Sequence, residues 1–141
     1  MWIDKLNRFS NLQALTATAA STDILDLGAD RDVGNGEPIE LVIVVGTALT
    51  SAGASTLVAA LQTDSAEGFG TVETLIQTPA IPKASLVAGY EVLKVKLPLG
   101  IKRYLRVYYT VGTADFTAGT ISAFLTPTRQ AWKSYASGYS V

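Results

Sequence analysis

The chain contains no cysteine and no histidine, and only one methionine. Without cysteine there is no disulfide frame, no thiolate metal site and no thiol redox chemistry. That fits a reducing compartment. Without histidine the usual general base and the commonest metal ligand are gone. Charge is scarce as well: 16% of residues are charged, and Lys+Arg 11 nearly balances Asp+Glu 12. Proteins that grip phosphate backbones carry a clear basic excess, so no nucleic-acid partner is expected. Long apolar runs are also missing. The longest strongly apolar stretch is Leu41–Val45, far short of the roughly 20 residues that a membrane helix needs. Residues 1–20 include Asp4, Lys5 and Arg8 and lack the apolar run of a secretory leader. A soluble protein with no membrane partner is expected.

Valine, leucine, threonine and glycine fill most of the chain between the only two tryptophans, Trp2 and Trp132. The length of 141 residues fits one domain, and a chain this size buries roughly two-thirds of its unfolded surface without metal or disulfide. In Arg103–Val111, Leu105, Val107, Tyr109 and Val111 share one face, and Tyr104, Arg106, Tyr108 and Thr110 share the other. Glu91–Leu97 alternates likewise, with Leu93, Val95 and Leu97 opposite Val92, Lys94 and Lys96. Thr120–Leu125 sets Ile121, Ala123 and Leu125 against Ser122 and Phe124. A period of two marks half-buried antiparallel strands.

Other segments are less regular. Leu12–Ala20 and Thr22–Leu27 read as early strands, Leu57–Asp64 as a strand with Leu57, Ala59 and Leu61 on one face, and Val72–Ile81 as an extended piece. Ile39–Val45 is almost continuously apolar, as in a strand covered on both faces. Gly46–Thr56, which apart from Leu49 is built of Gly, Ala, Ser and Thr, reads as a flexible loop. About eight strands separated by Gly/Pro turns, with no long helix, predict an antiparallel β-sandwich of jelly-roll type over residues 12–126. Residues 1–11 and 127–141 then form terminal arms.

The search for chemistry finds little. No G-x-S-x-G elbow and no phosphate loop is present. Asp23, Asp26, Asp30, Asp32 and Glu37 cluster around a Gly/Asn/Pro turn, but their spacing does not match a calcium-binding loop. Carboxylates in turns commonly bond backbone N–H groups, and that reading outweighs a metal site or an acid–base pair at Asp30 and Asp32. No catalytic residue, metal or cofactor is expected. Charge is uneven along the chain. Residues 20–75 hold nine acids (Asp23, Asp26, Asp30, Asp32, Glu37, Glu40, Asp64, Glu67, Glu73) and one base, Arg31. From residue 80 onward, eight bases (Lys83, Lys94, Lys96, Lys102, Arg103, Arg106, Arg129, Lys133) face two acids, Glu91 and Asp115. Either the surface is dipolar and orients docking, or the two halves interleave and the charges mix.

The aromatic arms stand out. Trp2 and Phe9 at one end, and Trp132, Tyr135 and Tyr139 at the other, lie outside the expected strands. Tryptophan and tyrosine anchor interfaces. These rings either fold back on their own sandwich or pack on a neighbour. The candidate partner-binding residues are therefore Trp2, Phe9, Trp132, Tyr135 and Tyr139, joined by the basic Lys94, Lys96, Arg103 and Arg106. A sugar platform of Tyr104, Tyr108 and Trp132 is the alternative.

Several segments, in order, carry a resemblance: Trp2-Ile3-Asp4 with Arg8-Phe9-Ser10, then Asp26-Leu27-Gly28-Ala29-Asp30-Arg31-Asp32-Val33-Gly34 running into Gly36-Glu37-Pro38. After these come Gly46-Thr47-Ala48-Leu49-Thr50-Ser51-Ala52-Gly53, the strand Leu57–Asp64, and Arg103-Tyr104-Leu105-Arg106-Val107-Tyr108-Tyr109. The chain resembles the small jelly-roll cement, or decoration, proteins of tailed-phage capsids, of the Bordetella-phage type. The resemblance implies a non-enzymatic virion protein, made in the bacterial host cytoplasm and bound outside an icosahedral shell. It further implies a homodimer, with trimers in related systems, that clamps adjacent major capsid protein subunits after expansion.

Overall fold

The computed structural model describes residues 4–33, 36 and 38–127. Ten strands run in chain order: β1 (Arg8–Ala14), β2 (Ala19–Ala20), β3 (Leu25–Asp26), β4 (Ile39–Thr50), β5 (Thr56–Asp64), β6 (Glu73–Gln77), β7 (Ile81–Pro82), β8 (Glu91–Lys96), β9 (Tyr104–Gly112) and β10 (Ala118–Pro127). The first sheet has the order β1-β10-β4-β8 and the second β2-β9-β5-β6, with β3 also on β9 and β7 also on β5. Every pairing is antiparallel. The pairs nest: β1 with β10, β2 and β3 with β9, β4 with β8, β5 with β6 and β7. That is one long antiparallel hairpin rolled into a two-sheet sandwich, the jelly roll. Two of its eight positions are filled by broken strands, so the expected count of about eight strands becomes ten pieces in eight places.

The core follows from the alternation. Leu57, Leu61, Leu105, Val107 and Tyr109 of the second sheet meet Leu41, Ile43, Ile121 and Ala123 of the first, all fully buried. A polar thread joins the sheets through this core. The Tyr109 hydroxyl lies 2.9 Å from Ser10 Oγ, and Ser10 Oγ donates to Gln13 Oε1 at 2.8 Å. Gln13 in turn donates to the Ala20 carbonyl and accepts from the Thr22 N–H. Each buried polar atom of the thread is thereby satisfied, as a packed interior requires.

Several sequence expectations are revised. The N-terminal arm is shorter than residues 1–11, because β1 begins at Arg8. Phe9 is fully buried in the core of its own chain, not offered to a neighbour. Register shifts at Ser10 and Gln13, with Leu12 at φ +48°, break the alternation of β1 and hide it from periodicity. Thr22–Leu27 pairs only at Leu25 and Asp26. Gly46–Thr50 is not a loop but the second half of β4, paired with the start of β10. Glycine is needed at 119, which has φ +134° and where a Cβ would fall 2.7 Å from Leu49 Cα. Val92 points into the core, not outward with Lys94, because a bulge lies between the pairs Ile43–Leu93 and Val44–Glu91.

Candidate interaction surface

Two outer faces are available for contact, and the strand registers build each of them. On the first sheet one row crosses all four strands: Arg8, Phe124, Val42 and Lys94 are successive cross-strand partners. Val42 is 2% exposed and Phe124 5%, although both lie outside the main core cluster. Ile39–Val45 is thus covered on both faces, as its apolar run predicted. Lys94 and Lys96 are exposed on the edge strand β8, Lys96 opposite Glu40. Arg8 Nε is buried with no hydrogen-bond partner among the described residues.

On the second sheet, Tyr104, Arg106 and Tyr108 stand on the outer face of β9. Arg106 is opposite Gln62 of β5, and its Nε donates to Gln62 Oε1 at 2.8 Å. The guanidinium carbon lies 4.1 Å from the centre of the Phe69 ring and 5.2 Å from that of Tyr108. Phe69 reaches this position because the loop after β5 folds back over the sheet. Asp64 accepts from the Ala66 and Thr71 N–H groups, and Phe69 N–H donates to the Ala66 carbonyl. These bonds hold Asp64 below the usual carboxylate range, the Thr71 N–H contributing most. Phe69 itself sits at φ +50°, an uncommon conformation for a bulky residue.

Arg103 is differently placed. Its guanidinium grips Asp26 bidentately, with both N···O distances at 2.8 Å, and lies 4.9 Å from the Tyr104 ring centre. This bond, helped by the Gly28 N–H, lowers the Asp26 pKa from 3.8 to about 2. Asp30 accepts from the Arg103 N–H, and Asp32 from the N–H groups of Gly100 and Ile101. Asp26, Asp30 and Asp32 therefore act as local staples, the role expected of turn carboxylates, while Glu37 lies outside the described residues. Lys102 pairs with Glu73 at 3.1 Å. Two acids from the first half of the chain, Asp26 and Glu73, thus meet two bases from the second, Arg103 and Lys102, as interleaving of the halves implies.

A family model described as Bbp16 matches residues 9–125. The chain belongs to the Bbp16 family. The family name is of the Bordetella-phage type, consistent with a phage protein family. No curated protein matches the sequence. The match runs from Phe9 in β1 to Leu125 in β10 and so spans the rolled sandwich of this chain.

Within this Bbp16 chain the basic group expected to act together is divided. Lys94 and Lys96 lie on the outer face of the first sheet and Arg106 on that of the second, with the core between them, while Arg103 precedes β9 and is bound to Asp26. Trp2, Trp132, Tyr135 and Tyr139 lie outside the described residues. Sequence reasoning missed Phe69 and Gln62 as partners of Arg106. Nothing local signals them, because the contact depends on the pairing of β5 with β9, 44 residues apart at the Arg106–Gln62 bond.

Proposed function

We propose that this Bbp16-family chain is a non-enzymatic cement protein that binds the outer surface of a phage capsid and clamps adjacent major capsid protein subunits. The family match across the whole sandwich carries the reading, because it attaches a phage-type family to a jelly roll. The physical logic supports it. A closed sandwich with a satisfied core loses little conformational entropy on binding. Many copies of a small rigid binder add modest interface energies over one shell.

The proposed unit is a homodimer. Trp2, Trp132, Tyr135 and Tyr139 are proposed as arm contacts, and Lys94, Lys96 and Arg106 as contacts on the two outer faces. Phe9, a core residue, is withdrawn as a contact, and Arg103 serves mainly to hold strand β3 through Asp26. Light scattering on the eluting peak of a gel-filtration column, followed by sedimentation with expanded shells, checks the proposal. A dimer that co-sediments is expected. A strict monomer that stays in the supernatant refutes it.

A further inference from the structure

The geometry points to a carboxylate-binding site on the outer face of the second sheet, centred on Arg106, that takes an Asp or Glu side chain of a protein partner. It rests on the cement reading only in making that partner a capsid protein.

Three observations carry it. First, Arg106 is held in advance: Gln62 bonds its Nε, the Phe69 ring stacks at 4.1 Å and Tyr108 flanks it at 5.2 Å. Little rotamer freedom is left to lose on binding, and a planar fork fits a carboxylate with two parallel bonds. Second, its charge is unmatched. The other two cations of this region are neutralised, Arg103 by Asp26 and Lys102 by Glu73, whereas no ion pair among the described residues uses Arg106. Its terminal nitrogens make no hydrogen bond to the described residues and are not buried. Third, the loop that supplies Phe69 adopts an uncommon backbone at that residue, stapled by Asp64, so the stack is imposed by the fold.

The pattern of paired and unpaired cations selects the ligand. Asp64, at the end of β5, is occupied by the Ala66 and Thr71 N–H groups, and Asp26 and Glu73 already hold their cations. A nucleic-acid backbone needs a row of unpaired cations. One unpaired guanidinium flanked by aromatic rings suits one carboxylate on a peptide rather than a row of phosphates.

Two arms test this on the full chain. In the first, the Arg106 Nε–Hε signal of ¹⁵N-labelled protein is followed during titration with sodium acetate, with sodium chloride at matched ionic strength, and with a single-stranded oligonucleotide. A saturable shift with acetate alone is expected. No acetate-specific shift, or a stronger response to the oligonucleotide, overturns the site. In the second, Arg106→Gln and Phe69→Ala are compared with wild type for binding to expanded shells, after circular dichroism has verified folding. Arg106→Gln is expected to weaken binding roughly tenfold or more, the loss typical of a charged hydrogen bond, and Phe69→Ala by less. Equal binding by wild type and Arg106→Gln overturns the site and leaves the cement reading standing. If wild type itself does not bind shells, the cement reading fails, and the acetate titration alone decides the site.

Discussion

Asp26 shows how single side chains hold the molecule closed. Its pKa in the folded chain is about 2 against an ordinary 3.8, chiefly because Arg103 bonds its carboxylate. A depressed carboxylate stabilises the fold above its unfolded pKa and loses that effect as the pH falls through the folded one. The stability gap between wild type and Asp26→Asn should therefore be present above pH 3.8 and vanish as the pH approaches about 2, as thermal melts across this range will report. Tyr109 behaves in the opposite sense. Burial pushes its phenol well above the ordinary 10.0, a shift that the Ser10 hydrogen bond only partly offsets. Its contribution is whole below pH 10.0 and lost as the pH rises beyond it. Tyr109→Phe should cost about 1 kcal/mol at neutral pH by removing the thread's first hydrogen bond. The mutant should also resist alkaline unfolding better than wild type. At Gly119 both φ and space exclude a side chain, so Gly119→Ala should cost about 2 kcal/mol in urea titrations.

Strand β1 separates what a sequence reveals from what it conceals. Phe9→Ala should destabilise the protein by about 3–5 kcal/mol, the usual cost of emptying a fully buried aromatic site. Chemical denaturation measures this directly, and a loss confined to assembly with no change in stability would contradict its place in the core. Position near a terminus suggested an arm, since bulges at Ser10 and Gln13 erase the alternation that would announce a strand. β9 is the contrary case. Leu105, Val107 and Tyr109 alternate cleanly with Tyr104, Arg106 and Tyr108, and the structure buries the first set and turns the second outward. The end of β4 was hidden by composition. Gly46 and Thr47 look like loop residues, but Thr47 pairs across with Thr120, whose hydroxyl accepts its N–H. Local pattern thus reports the faces of regular strands. Register, bulges and contacts such as Phe69 on Arg106 depend on which strands meet, and that is a property of the rolled sandwich.

Across the whole molecule, the jelly roll places two outer faces back to back, with Lys94 and Lys96 on one and Arg106 on the other. The proposed clamp would use these as two separated contact faces. If the C-terminal aromatics act as proposed, removing residues 128–141 should weaken dimerisation and shell binding more than it lowers the melting temperature. Sedimentation beside thermal melts of the truncated chain will separate the two effects. The proposed cement role is best tested by cryo-electron microscopy of expanded phage capsids that lack this protein and are then incubated with it. The account predicts dimeric jelly-roll density on the outer surface, bridging adjacent major capsid protein subunits. Bare shells at saturating protein, or density confined to the interior, would contradict it.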